Sequence, residues 1–301
     1  MAGKHLVLPG DVQTQRPVIR QILAPNPSIM TQNGTNTFIL GSGDVAVIDP
    51  GPDLPSHLDA ILSGLSAGER ITHILVTHAH LDHSGLAGRL ANVTGASVHA
   101  FGSAMSGRSA TMIRLAKAGL IGGGEGLDHA FSPDIILTNG ARLTGKTWAI
   151  EAIHTPGHLG GHLCFASSDL LFSGDHVMGW STSLVSPPDG DMTDYMASLE
   201  LLAQRQWGIL LPAHGDPVTH PSARIAELIA HRRAREAAVL DAIGAGAKDI
   251  SAITQSVYPD LSDKLLPAAK RNILAHLIDI EARKLIEASP EISAEAIFSS
   301  R

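Results

Sequence analysis

A single cysteine, Cys164, stands among 301 residues, and that scarcity excludes an internal disulfide framework. Its neighbours Leu163, Phe165 and Ala166 form an apolar, strand-like run, where a thiol reads as a small buried hydrophobe. No stretch approaches the ~18 consecutive apolar residues of a membrane helix. The first residues, Met1-Ala2-Gly3-Lys4-His5-Leu6-Val7-Leu8-Pro9, lack the apolar run of a signal peptide. These absences set the expectation of a cytoplasmic protein with no membrane partner. A Gly-x-Ser-x-Gly elbow is missing and Cys164 has no catalytic setting, so no side-chain nucleophile is announced. The glycine-rich stretch Gly119 to Gly126, with Gly122-Gly123-Gly124, lacks a Gly-Lys-Ser/Thr ending and opens no helix. It reads as a lid or substrate-side loop rather than a phosphate cradle. Nor is the chain basic: its net charge of −7 argues against non-specific nucleic-acid binding by the whole surface, while leaving room for a local basic groove.

Histidine, by contrast, is plentiful at 16 residues. The densest group is Thr77-His78-Ala79-His80-Leu81-Asp82-His83. Ile71 to Val76 before it is β-branched and apolar, a buried strand by pattern. Ser84 to Leu90 after it carries Leu86 and Leu90 at helical spacing. The polar residues therefore sit in a loop held by rigid elements on both sides. His78 and His80 point the same way in an extended chain and can reach one metal ion. Asp82 and His83, around the turn, can face a second. Imidazole with carboxylate and no thiolate suits zinc, iron or manganese. Three histidines and an aspartate in six residues would crowd charge at low pH for no packing gain, which disfavours an incidental cluster.

The rest of the chain alternates short strands and helices. Thr35 to Gly41 and Asp44 to Asp49 read as strands joined by Gly41-Ser42-Gly43. Asp49 is either a carboxylate that orients a metal ligand or a turn residue before Pro50-Gly51. Leu54–Leu65 and residues 103–118 read as helices, and 134–153 as strands around Thr138-Asn139-Gly140. Irregular residues 178–194, with Ser181, read as a pocket wall. Asp194–Arg205 reads as a helix and Gly208–Pro212 as a strand. His154 reads as structural, and His176 points away from its neighbour Asp175. After Pro221 the β-branched signal fades. Ser222–Leu240 reads as a helix capped by Ser222, Asp249–Val257 as one capped by Asp249, and Lys264–Ala288 as one long helix. Two domains are expected, residues 1–221 and 222–301.

His78-x-His80-x-Asp82-His83 resembles the second signature motif of the metallo-β-lactamase superfamily. Four further motifs follow the family order: Val45 to Asp49, Thr155-Pro156-Gly157-His158, Ser173-Gly174-Asp175 and Ala213-His214-Gly215. Five motifs in order across 45–215 make the likeness specific. It implies a four-layer αββα sandwich with a small C-terminal helical, winged-helix-like domain. It implies two divalent ions, most often zinc, with iron or manganese possible. By the family pattern His78, His80 and His158 hold one ion, Asp82, His83 and His214 the other, and Asp175 bridges. Such ions lie ~3.5–4 Å apart and share a hydroxide that attacks a carbonyl or phosphoryl centre. Asp82 would accept a hydrogen bond from that water, a catalytic role. Asp49, His162 and Ser181 are expected beside the ligands or the substrate, with His162 equally readable as the start of a strand.

The tail resembles that of one superfamily branch, the β-lactamase-like protein 2 group. Gly34-Thr35-Asn36-Thr37, Asp194-Tyr195-Met196 and Asn272-x-x-Ala275-His276-Leu277 carry this likeness, although no second wing strand is evident after Ile286. The best-known class B β-lactamases carry cysteine where Asp175 stands here, so antibiotic hydrolysis is disfavoured. Two functions follow: a di-metal hydrolase of a small ester, thioester or lactone, or, as the branch implies, an endoribonuclease on single-stranded RNA. Lys264, Lys270, Arg271, Arg283 and Lys284 would supply the RNA-binding face, or simply a solvated helix with paired charges.

Overall fold

The computed structural model describes residues 17–122 and 126–301. Met1–Pro9, and the glycines Gly123 and Gly124 of the lid reading, lie outside the described residues.

Two sheets face each other. The first runs β1 (Ile19–Leu23), β2 (Asn36–Leu40), β3 (Asp44–Ile48), β4 (Arg70–Leu75), β5 (Ser97–Ala100) and β6 (Ile135–Ile136) in that spatial order. Its first three strands are antiparallel and β3 to β6 run parallel. Helices α1 (Pro55–Ser63), α2 (Leu81–Ser84), α3 (Ala87–Thr94) and α4 (Ala110–Lys117) fall in the connections. The second sheet is made from β7 (Arg142–Thr144), β8 (Ala149–His154), β9 (Leu163–Ser167), β10 (Leu170–Gly174) and β11 (Ile209–Pro212), in the order β11-β10-β9-β8-β7. Helix α5 (Met192–Ala203) packs outside it.

Strand alternation explains the layers. In β3, Val45 and Val47 join Ile61 of α1 and Leu90 of α3 in an outer core, while Ala46 and Ile48 face the second sheet. Phe38 and Phe172 meet between the sheets, edge to face with centroids 5.2 Å apart. On the far side Leu171 and Leu210 pack against Tyr195 and Leu199 of α5. Strands covered on both faces carry continuous apolar runs, as Val45-Ala46-Val47-Ile48 of β3 and Leu163-Cys164-Phe165-Ala166 of β9 do. The result is the expected four-layer αββα sandwich.

The tail holds α6 (Pro221–Gly244), α7 (Ile250–Val257), α8 (Leu266–Ala282) and a two-stranded sheet of β12 (Ile286–Ser289) and β13 (Ile297–Ser300). Ile225 and Leu228 of α6 belong to the core against the second sheet, whereas Val239 and Ile243 of the same helix join Ile253, Ile273 and Phe298 in the tail core. Asp249 caps α7 as expected, accepting from the Ala252 amide at 2.9 Å.

Four expectations change. The wing hairpin exists: α8 stops at Ala282 instead of running to Ala288, and β12 pairs antiparallel with β13. Ser222 is not a cap, because His220 occupies that position, without a side-chain bond, and Pro221 opens the helix. Residues 134–153 are not one hairpin. β6 pairs with β5 in the first sheet, whereas β7 and β8 belong to the second, so the chain crosses between sheets at 137–141. Residues 103–118 are helical only from Ala110.

Several buried histidines are incompletely hydrogen-bonded among the described residues. His57, His99 and His276 are each 3 % exposed or less, and each has at least one ring nitrogen with no hydrogen bond among the described residues. Burial lowers His57 and His99 to about 4 and His276 to about 3. The unfolded chain then binds protons more readily than the fold below pH ~6.5, so stability is full above that pH and falls below it. In metal-free protein unfolded by denaturant, each such histidine should contribute on the order of 1 kcal/mol of stability lost at pH 5.5 relative to pH 7.5, with the raised His83 and His214 acting in the opposite sense. His276→Leu should remove its share of that loss.

Candidate metal centre

The parallel pairs β3–β4 and β10–β11 end at one edge of the sandwich, and the turns that follow them carry Asp49, residues 77–84, Asp175 and His214. β8 runs to the same edge, so the turn after it brings in His158. Open α/β sheets present binding groups at such strand ends.

Seven side chains converge there as overlapping groups: His78, His80 and His158; His78, His83 and Asp175; Asp82, His83 and His214. Within each group the donor atoms lie inside 4.8 Å of one another. His80 Nδ1 is 2.9 Å from His78 Nε2 and 3.1 Å from His158 Nε2. Asp82 Oδ2 lies 3.4 Å from His83 Nε2 and 3.3 Å from His214 Nε2. Asp175 stands between the two sets. Its Oδ1 is 3.6 Å from His83 Nε2 and 3.3 Å from His214 Nε2, while Oδ2 is 3.6 Å from His158 Nε2. One carboxylate oxygen thus faces each side, the geometry a bridging ligand needs.

The residues fit a pair of divalent cations. His83 Nε2 and Asp175 Oδ1 are buried and have no hydrogen-bond partner among the described residues, so both aim bare donors into the cluster. The donor set is imidazole and carboxylate, the chemistry of zinc, iron or manganese. Without a cation the cluster divides electrostatically. Burial, then neighbouring imidazoles, hold His78 well below its usual value and His80 at about 3. Burial opposes charge on His214 as well, but Asp175 and Asp82 outweigh it and raise that imidazole to about 10. His83 rises for the same reason, against Asp82, Asp175 and Asp49. A cation entering this side displaces protons.

Four of the five ligating orientations are set by the other ring nitrogen. His78 Nδ1 is 3.0 Å from the Thr77 hydroxyl. His158 Nδ1 donates to the Leu184 carbonyl at 2.7 Å, and His214 Nδ1 to the Gly34 carbonyl at 3.2 Å. His83 Nδ1 is 3.1 Å from Asp49 Oδ2. Asp49 itself is locked, accepting from the Thr77 amide at 2.7 Å and the Thr77 hydroxyl at 2.8 Å, in a left-handed backbone conformation with φ 48°. It stands where the orienting reading puts it, and a turn residue's conformation serves that purpose.

His162 lies behind the cluster, its Nδ1 2.9 Å from Thr155 Oγ1 and its Nε2 accepting from the Asp175 amide at 3.3 Å. Ser181 lines the cavity above and makes a long bond to the Thr182 carbonyl. His176 joins none of the donor groups, and His154 stacks on Phe101 with centroids 4.0 Å apart. Sequence reasoning passed over Thr77 as an orienting group and assigned the Gly34-Thr35-Asn36 motif no role. Thr35 Oγ1 donates to Asp82 at 3.2 Å, and Asn36 Nδ2 donates to the carbonyls of Pro212 and Gly215 on either side of His214.

A cavity of about 900 Å³ opens onto the cluster. Met178, Trp180 and Leu184 form part of its wall, as expected of residues 178–194, and Gly126 comes from the glycine-rich segment. The unexpected walls are Ile29 and Met30 near the N-terminus, and Tyr258, Leu261, Leu265 and Asn272 of the tail.

The family model described as metallo-beta-lactamase superfamily matches residues 30–214, and that of a beta-lactamase associated winged helix domain matches 250–291. The chain is 28 % identical to the beta-lactamase-like protein 2 homolog of Drosophila melanogaster, over 96 % of each protein. It is 29 % identical to an atrochrysone carboxyl ACP thioesterase of Aspergillus chevalieri, over 91 % of this chain and 85 % of the relative. The fold superposes on a crystal structure of a metallo-beta-lactamase family protein from Thermus thermophilus with a TM-score of 0.74 and 20 % identity, covering 94 % of this chain and 98 % of that one.

Replacing Asp49 by Asn puts an N–H₂ among three donors, Thr77 N, Thr77 Oγ1 and His83 Nδ1. The variant should hold the ion on the His83 side about 10–100-fold more weakly, measured by competition with a chromophoric chelator.

Proposed function

The chain belongs to the metallo-β-lactamase superfamily, and from that premise we propose that it hydrolyses a thioester with an apolar acyl group, using two divalent ions, zinc by preference with iron or manganese as alternatives. It is a hydrolase of that superfamily with a His/Asp metal cluster. The observation that carries the finer reading is the apolar cavity over the donors. Ile29, Leu81 and Leu265 are 60 %, 52 % and 40 % exposed, yet all three line this one cavity with Met30 and Trp180. Apolar surface left open around a polar floor marks a binding groove for an apolar body. The similarity to a protein named as an ACP thioesterase supports the same class.

When bound, the ions polarise the carbonyl and make water a nucleophile near neutral pH. His78, His80, His158, Asp82, His83, Asp175 and His214 are the groups that hold them. Asp82 stays a carboxylate, because the imidazoles of His83 and His214 outweigh the effect of its burial. With its side chain about a quarter exposed toward the cavity, it accepts a hydrogen bond that orients the attacking water. Water adds to the acyl carbon, the C–S bond breaks, and an acid and a thiol leave.

The leaving group bears on substrate class. His80, His158 and His214 at the cavity floor are all donors to the cluster, and the remaining cavity imidazole, His231, is held below its usual value by burial and by Arg232, Arg235 and Arg224. Among the described residues no cavity imidazole is left to protonate a departing amine. A thiolate, whose thiol has a pKa of ~8.5, departs without that help. Esters and lactones are neighbouring classes.

The second reading, an endoribonuclease on single-stranded RNA, draws on the cationic residues of the tail. Arg271 is engaged with the carbonyls of Ile121 and Pro187, and Arg283 pairs with Glu236 and Asp279. Lys264 alone of the five faces the cavity without such a partner among the described residues. Of these five described residues, that leaves one unpaired cation at the cavity itself, since Lys270 and Lys284 do not line it, where a backbone track beside the metals needs several.

The deciding assay offers zinc-loaded protein a ladder of acyl thioesters, from acetyl to long-chain, and a generic single-stranded RNA. Thiol release should rise with chain length, and Asp82→Ala should abolish it. RNA cleavage that Asp82→Ala abolishes, without thiol release, would transfer the protein to the nuclease class. Leu265→Trp, which fills part of the groove, should raise KM for long acyl chains several-fold and leave acetyl substrates nearly unchanged.

A further inference from the structure

We propose that Arg232 of α6 and Asn272 of α8 are positioning residues for the metal centre: they hold the backbone of residues 183–185 so that the Leu184 carbonyl fixes the ring of His158. The inference rests on the metal reading of the cluster and adds to it a part the tail plays. His158 Nδ1 donates to the Leu184 carbonyl at 2.7 Å, which leaves Nε2 as the atom facing His80 and Asp175. Both flanks of that carbonyl are gripped from the tail. Arg232 Nη2 donates to the Ser183 carbonyl. Asn272 Oδ1 accepts from the Val185 amide at 3.1 Å and from Arg232 Nη1 at 3.2 Å, so the two side chains also brace each other. Leu184 thus sits in the middle of a three-residue span clamped at both ends.

Arg232 is an unusual residue to bury: it is 2 % exposed, lies over the ring of Tyr195 at 5.1 Å, and makes no ion pair with an acid among the described residues. Fixed oxygens meet two of its three nitrogens, the Ser183 carbonyl at Nη2 and Asn272 Oδ1 at Nη1, while Nε has no partner among the described residues. Its place is explained by what it holds. Neighbouring bonds act the same way on the rest of the segment. Arg224 donates from Nε to the Met178 carbonyl at 2.8 Å and from Nη2 to the Ser181 carbonyl at 2.7 Å. Arg271 donates to the Pro187 carbonyl at 3.3 Å. Beyond it, Gly160 N donates to the Asp189 carbonyl and Asp191 N to the Gly157 carbonyl, which ties the segment to the turn that bears His158. Sequence reading marked Tyr195 and Asn272 without giving them a task; the clamp is that task.

The test compares Asn272→Leu, which fills similar space without an acceptor, with Asn272→Asp, which keeps an acceptor for the Val185 amide and Arg232. Metal content is counted by elemental analysis. The affinity of each site is read by chelator competition, and the cobalt-substituted protein reports the imidazole set through its visible spectrum. Far-UV circular dichroism and the thermal midpoint establish that each variant is folded. Wild type should bind two ions. Asn272→Leu should keep one and bind the other about 10–100-fold more weakly, the usual effect of losing a group that orients a ligand, with an altered cobalt spectrum. Asn272→Asp should stay within about threefold of wild type, on the same reasoning. Two ions held with wild-type affinity by Asn272→Leu overturn the proposal alone, as does equal loss in the Leu and Asp variants. Fewer than two ions in wild type sink the two-ion reading and the proposal with it. If Asn272→Leu is not recovered folded, Arg232→Lys, which keeps the charge but not the double grip, carries the same comparison.

Discussion

Five imidazoles and two carboxylates are packed into one buried site, cut off from the water that would solvate them and in part repelling each other, and the surrounding bonds hold them in place. Taking such groups out of water is unfavourable unless fixed partners or a cation compensate. The chain supplies fixed partners on the outward side of four of the five rings: the Thr77 hydroxyl, the Asp49 carboxylate, and the carbonyls of Leu184 and Gly34. The inward side is left for cations, as the bare His83 Nε2 and Asp175 Oδ1 indicate. Rigid strand ends make the arrangement possible, since a loop free at both ends would relax away from it.

The site was more legible in the sequence than the elements around it. His78 and His80 share a side because side chains alternate in an extended segment, and a turn at Leu81 redirects Asp82 and His83; both effects are local. Asp49 was ambiguous because the two readings describe one residue: its left-handed turn conformation is what aims the carboxylate at Thr77 and His83. The wing was hidden for a different reason. Helix α8 ends in a motif that normally announces itself with glycine, with Lys284 N bonded to the Glu281 carbonyl and Leu285 N to the Ile280 carbonyl. Here the left-handed position is Lys284, φ 61°, so no glycine marked the stop. The strand that follows, Ile-Glu-Ala-Ser, has one β-branched residue. The crossing between β6 and β7 was illegible because β6 owes its place to β5, far away in the chain.

The cavity walls were the least legible part, since they are assembled from three distant segments. Ile29 and Met30, the 178–184 stretch and Tyr258 to Asn272 have no common pattern, and only the packing of the tail against α4 and the second sheet brings them together. Met112 and Leu115 of α4 and the two halves of α6 join the tail to the sandwich through shared apolar contacts. Such joints resist independent motion of the parts they connect. A groove built across them is therefore preformed, the usual condition of a small-molecule site.

The same joints explain how the tail's cations are used. A helical, winged-helix-like unit invites the expectation of a nucleic-acid surface, which requires Lys and Arg heads free to meet phosphates. Arg224, Arg232 and Arg271 instead turn inward onto the carbonyls of Met178, Ser181, Ser183 and Pro187, and Arg283 is closed by two acids. A planar guanidinium with several donors suits the bracing of irregular backbone, because it meets carbonyls at fixed angles that no apolar contact can specify. An irregular wall over the metals must be held by such bonds, since it has no ladder of its own. Where the cations of a tail serve that purpose, their number says little about nucleic acid, and the apolar groove they frame becomes the better guide to what the site accepts.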